Sequence, residues 1–86
     1  MKIKDITISL IKEEKLSIND IYEFVSKYLE EKKRTYTSEQ LQYLVSLIAS
    51  GYLSLEEPIK YFTQLYKLNV MKVMNKNGEV LKIFIN

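Results

Sequence analysis

The residues that most often carry enzyme chemistry are missing from this chain. It has no His and no Cys, and Asp5 and Asp20 are its only aspartates. General acid–base catalysis falls most often to His, and nucleophilic triads and most zinc sites need His or Cys. What remains are the glutamate pairs Glu13-Glu14, Glu30-Glu31 and Glu56-Glu57. Such pairs can act as a carboxylate dyad or hold a metal, but on helix faces they are ordinarily solvated. Both glycines, Gly51 and Gly78, fall in turn contexts, which leaves no Gly-rich phosphate cradle. The expectation is a protein with no catalytic residues, metal or cofactor, and therefore not an enzyme.

The elements that position the remaining side chains are announced by their boundaries. Ser17-Ile18-Asn19-Asp20 sets a capping hydroxyl three residues before a carboxylate, with Leu16 and Ile21 as the flanking apolar staple. Thr37-Ser38-Glu39-Gln40 repeats the logic with Tyr36 and Leu41, and Ser54-Leu55-Glu56-Glu57 repeats it ahead of Pro58. These predict helices starting near residues 18, 38 and 55. The periodicity agrees: Ile18, Ile21, Tyr22, Val25 and Leu29 form one stripe. Leu41, Leu44, Val45 and Ile48 form a second that ends at Gly51, and Leu55, Ile59, Phe62 and Tyr66 a third. Residues 3–14 suit a strand through Ile6, Ile8 and Leu10, or a helix through Ile3, Ile6, Leu10 and Ile11. The helix is favoured, with Asp5 as its cap and Lys12 to Lys15 as its last turn.

From Asn69 the period changes to that of two strands around Asn75-Lys76-Asn77-Gly78. A two-residue Asn77-Gly78 turn would mix Lys and apolar residues on both faces. A three-residue loop with Gly78 at positive φ pairs Met74 with Val80, Val73 with Leu81 and Met71 with Ile83. That register gathers Met71, Val73, Leu81, Ile83 and Ile85 on one face, so burial selects it. The other face then carries Val70, Met74, Val80 and Phe84 around the like-charged pair Lys72 and Lys82. No repeat or linker divides the chain. The expectation is one α+β domain over 1–86: four short helices within 3–68, then a C-terminal β-hairpin over 69–86.

At 86 residues the chain buries only about 60–65% of the surface its unfolded form exposes, so its core is thin and a homodimer is a standing possibility. No apolar run approaches the roughly 18 residues of a membrane span, and the first residues lack the pattern of a secretion signal. With zero Cys this fits a cytoplasmic protein. Ten Ile and five Asn against one Ala and one Arg fit an AT-rich genome, archaeal, viral or low-GC bacterial. The net charge of +2 is too small to advertise nucleic acid by itself.

The run from Asp5 to Leu55 nevertheless resembles a winged helix-turn-helix domain. The carrying segment is Ser38-Glu39-Gln40-Leu41-Gln42-Tyr43-Leu44-Val45-Ser46-Leu47-Ile48-Ala49-Ser50-Gly51-Tyr52-Leu53, which looks like that family's recognition helix and its Gly-Tyr-Leu exit. The hairpin would be the wing. The resemblance implies a DNA-binding regulator, or a replication or transcription accessory factor, that contacts double-stranded DNA. Ser38, Glu39, Gln40, Gln42 and Tyr43 would face the major groove, while Lys32, Lys33, Arg34, Lys72, Lys76 and Lys82 would grip phosphates. Two features depart from the family: this helix holds no Lys or Arg, and a whole helix separates it from the wing. A second reading is a protein-interaction module, an accessory subunit of a larger complex or a small viral inhibitor. Its interface would be Val70, Met74, Val80 and Phe84 on the hairpin, with Tyr61 and Tyr66 on the preceding helix.

Overall fold

A computed structural model describes residues 2–86 as helices α1 (Ile3–Ile11), α2 (Ile18–Glu31), α3 (Ser38–Ala49) and α4 (Glu56–Leu65). Strands β1 (Val70–Met74) and β2 (Val80–Ile85) follow as an antiparallel pair. The chain is thus α+β, with helices first and a C-terminal hairpin after them. Two of the three expected caps act where the sequence places them, whereas α4 has Leu55 at its N-cap with no side-chain bond. Ser17 Oγ accepts from the Asp20 N–H at 3.2 Å. At the start of α3 the reciprocal box is complete: Thr37 Oγ1 accepts from the Gln40 N–H (3.1 Å) and Gln40 Oε1 from the Thr37 N–H (2.9 Å). Ser54 Oγ instead accepts from the Glu56 N–H at 3.0 Å, one residue short of the expected Glu57 partner. Residues 3–11 are helical, with Lys2 at the N-cap and Asp5 inside the first turn. Lys12 to Lys15 therefore lie beyond the helix and do not form its last turn.

All four helices end alike. Glu13, Lys33, Gly51 and Lys67 sit in the left-handed region at φ of 58°, 55°, 80° and 53°. The next N–H in each case reaches five residues back: Glu14 to Ser9 O, Arg34 to Leu29 O, Tyr52 to Leu47 O, and Leu68 to Thr63 O, at 2.9–3.0 Å. This six-to-one bond is the Schellman closure, which satisfies otherwise orphaned carbonyls. Glycine supplies only one of the four.

The core is divided in two. Ile6 of α1, Phe24 of α2 and Phe62 of α4 form one fully buried cluster, and Val25 and Leu29 of α2 with Val45 of α3 form the other. Helix α2 therefore has apolar sides toward both neighbours. Phe24, outside the single stripe expected for α2, is one of its best-buried residues, whereas Ile18 from that stripe is 54% exposed. Leu55 packs against both clusters and joins them. Buried Thr7 is accommodated because its Oγ1 donates to the Ile3 carbonyl at 2.8 Å.

Helix α1 packs on α2 and α4, and α3 packs on α2. Among the described residues no helix packs substantially on either strand. The radius of gyration of 14.0 Å exceeds the roughly 12 Å expected for a compact chain of this length, and the molecule measures 45 × 27 × 20 Å. The hairpin projects as an arm.

Candidate interaction surface

The arm's turn forms as the sequence predicts. Gly78 has φ 81°, its N–H donates to the Asn75 carbonyl (3.1 Å), and the Asn75 N–H donates to the Glu79 carbonyl (3.0 Å). Asn75 Oδ1 also accepts from the N–H groups of Asn77 and Glu79, at 2.9 and 3.0 Å. Asn75 and Glu79 thus close a three-residue loop, 76–78, and Met74 pairs with Val80 beyond them.

Beyond that pair the expected register fails. Val73 lies opposite Lys82, Lys72 opposite Ile83, Met71 opposite Phe84 and Val70 opposite Ile85, because Leu81 bulges out of β2. The physical gain is electrostatic as well as steric. The expected register would set Lys72 against Lys82, and like charges directly opposed are unfavourable. The slip moves the two ammoniums to opposite faces. It also breaks up the expected surface of Val70, Met74, Val80 and Phe84, since Val70 and Phe84 now point to different sides.

The inner face carries Val70, Lys72, Ile83 and Ile85. Ile83 and Ile85 are half-buried, and Lys72 lines a recess with Leu10, Ile11 and Ile59 beside the helices. The outer face carries Met71, Val73, Lys82 and Phe84, with Leu81 in the bulge beside it. Met71 is 63% exposed, Val73 40%, Leu81 64% and Phe84 46%. The Lys82 ammonium lies over the Phe84 ring, 5.0 Å from its centroid, so one cation sits on this face among its apolar residues. Met71, Val73 and Leu81 were expected on the buried side. Their signal in the sequence was the unfavourable Lys72–Lys82 pairing, which a correct register had to avoid.

Tyr61 and Tyr66 lie apart from this surface. Both are partly buried against the first core cluster: Tyr66 stacks on Phe62, and Tyr61 meets Phe62 and Tyr28 edge-on. The Tyr61 hydroxyl donates to Glu31 Oε2 at 3.3 Å, and the Lys32 ammonium sits 4.6 Å from the Tyr61 ring centroid. Withdrawal from water raises the Tyr61 pKa above its ordinary value, and the Glu31 carboxylate adds to the effect.

The residues expected to meet DNA fall into two groups. Lys32 ends α2, Lys33 takes the left-handed position, and Arg34 lines a largely apolar recess of about 390 Å³ with Leu44, Ile48 and Leu53. Ser38, Gln42 and Tyr43 are exposed on α3, but Gln40 is occupied by its own helix cap. Lys72, Lys76 and Lys82 belong to the arm, and among the described residues no substantial contact joins α3 to either strand. The arm, with three lysines against Glu79, accounts for the chain's whole net charge of +2.

Among the described residues no three acidic side chains converge into a metal-sized cluster, and no helix is long and apolar enough to cross a membrane. No family model, curated protein or solved structure matches this chain.

Proposed function

We propose that this chain is a protein-interaction module whose C-terminal hairpin is the contact arm. The observation that carries the reading is the outer face: among the described residues Met71, Val73, Leu81 and Phe84 form one exposed apolar surface, no helix packs substantially on it, and the turn after α1 only borders it at Leu81. A two-stranded hairpin standing alone is marginal in water, and large exposed apolar patches mark interfaces. Aromatic residues and Met are also the types enriched at interface centres. Site-specific photo-crosslinkers at Met71 and at Gln42 test this in the native cell. Protein adducts from position 71, absent from position 42, support the module.

The second reading is a nucleic-acid-associated regulator or accessory factor, favoured by the turn Lys32-Lys33-Arg34 beside the exposed Ser38, Gln42 and Tyr43. It expects duplex binding that weakens steeply with salt, each neutralised lysine flattening the log–log slope by about 0.9. Nucleic-acid adducts from position 42 would favour it over the module.

A further inference from the structure

We infer that α3 is a flap: it separates from α2 and unfolds as a unit while α1, α2 and α4 keep their fold. This holds whatever the arm contacts.

Three observations set α3 apart. Among the described residues it packs substantially on α2 alone. Of its 12 residues only Val45 is buried, against Val25 and Leu29 of α2. Its side-chain hydrogen bonding closes its own cap, through Thr37 and Gln40. No side-chain hydrogen bond or ion pair joins α3 to another helix among the described residues.

The other three helices are tied to one another without it. Ile6, Phe24 and Phe62 are completely buried where α1, α2 and α4 meet, with the two Phe rings 5.1 Å apart. Tyr28 of α2 meets Tyr61 of α4 edge-on, and the Tyr61 hydroxyl donates to Glu31. Leu55, in the connection ahead of α4, is the one described residue that packs against both clusters. Release of α3 therefore leaves the first cluster intact.

The seam beneath α3 is also incompletely filled. The recess of about 390 Å³ lies between Val25 and Leu29 of α2, Leu44 and Ile48 of α3, and Leu53 and Leu55 of the following connection. Apolar side chains around it stay partly hydrated, so the seam returns less than the full gain of burial. Helix α2 ends in its own closure through the Arg34 N–H, and α3 in another through the Tyr52 N–H, so neither end depends on its neighbour. A detached helix of this length is marginal in water, so α3 melts as it leaves. Opening bares Val25 and Leu29 while α1 and α4 still hold α2.

Native-state hydrogen exchange of the full chain, followed amide by amide at rising sub-denaturing urea, tests the inference. The amides of Val45 and Ile48 should exchange at least about tenfold faster than those of Phe24 and Phe62. They should also follow a shallower urea slope of their own, because opening α3 exposes less surface than global unfolding. Ile6→Val removes one buried methyl group from the first cluster. It should speed exchange at Phe24 and Phe62 about twofold to tenfold and leave α3 unchanged. Val45→Ala weakens the native state against both opened forms, so it should speed all four amides by one common factor. A single rate and urea slope for all four would overturn the flap, as would an Ile6→Val effect on α3 equal to that on α4. Exchange in α3 that ignores urea, or that Val45→Ala leaves unchanged, would overturn it too, since that is fraying of single bonds and not release of a unit.

Discussion

Lys33 ends α2 in the left-handed region at φ 55°, a conformation that costs a residue with a Cβ about 1–2 kcal/mol. Replacing it with glycine removes that strain, but glycine loses more backbone entropy on folding, by roughly 0.5–1 kcal/mol. The difference leaves Lys33→Gly stabilising by about 0.5–1 kcal/mol, since the closing bond from the Arg34 N–H to the Leu29 carbonyl uses no side-chain atom. In a domain of this size about 1 kcal/mol moves the melting midpoint by roughly 4–8 °C, well within calorimetric resolution. Lys67→Gly at the end of α4 should behave alike, and the two gains should add if the sites do not communicate. Gly51→Ala makes the reverse change at φ 80°, where an added Cβ meets nothing within 4 Å, so its penalty of about 1 kcal/mol is conformational alone. A destabilised Lys33→Gly variant, alongside a neutral Gly51→Ala, would refute the left-handed closures as the ends of these helices.

Two further outcomes follow from the packing. Phe62→Ala should cost about 3–5 kcal/mol, because Phe62 is fully buried at the meeting point of α1, α2 and α4. With a total stability on the order of 5–10 kcal/mol for this length, urea unfolding should show the midpoint collapse. Tyr61 should ionise only above the ordinary tyrosine range of about 10, and ultraviolet difference titration reads this directly. Because its folded pKa is raised, the associated stability is present below the unfolded tyrosine pKa and is lost as pH rises through the folded one. Glu31→Gln should bring the Tyr61 titration back toward its ordinary value.

The helices were legible because local chemistry determines where they begin. Ser17 and Thr37 cap where they stand, whatever the helices later pack against. Their ends were less legible, because Glu13, Lys33 and Lys67 adopt a conformation usually given to glycine, and only Gly51 advertised it. The double-sided burial of α2 was hidden for a different reason. A stripe through Ile18 and Val25 describes one neighbour, whereas α2 has two, and Phe24 faces the other. In the hairpin, Asn75 and Gly78 specified the turn, and the like charges of Lys72 and Lys82 argued against the even register without marking Leu81 as the bulge. Maximising one apolar face therefore gave a register the chain does not adopt. That choice assumed the larger apolar face would be buried. Since the helices close around Phe24, Phe62 and Val45 without the arm, most of its apolar surface stays open.

The bulge itself can be tested by removing it. Leu81 is the extra residue between the pairs Met74–Val80 and Val73–Lys82. Deleting it should leave every observed pair in place: Val73 still opposite Lys82, Met71 still opposite Phe84, and Ile83 and Ile85 still on the side of the helices. Strand alternation agrees, since Val80 and Ile83 would then sit two places apart on one face with Lys82 between them on the other. In the register that best segregates apolar residues, by contrast, Leu81 is an ordinary paired residue opposite Val73. There its deletion would move every residue from Lys82 onward to the opposite face, exposing one isoleucine set and turning Phe84 inward. Deletion of Leu81 should thus alter stability by no more than about 1 kcal/mol, the scale of a single exposed cross-strand neighbour. Nuclear Overhauser contacts between Met71 and Phe84 should persist. Wild-type contacts between Met71 and Ile83, with Met71–Phe84 contacts appearing only after the deletion, would show that Leu81 is paired and not bulged.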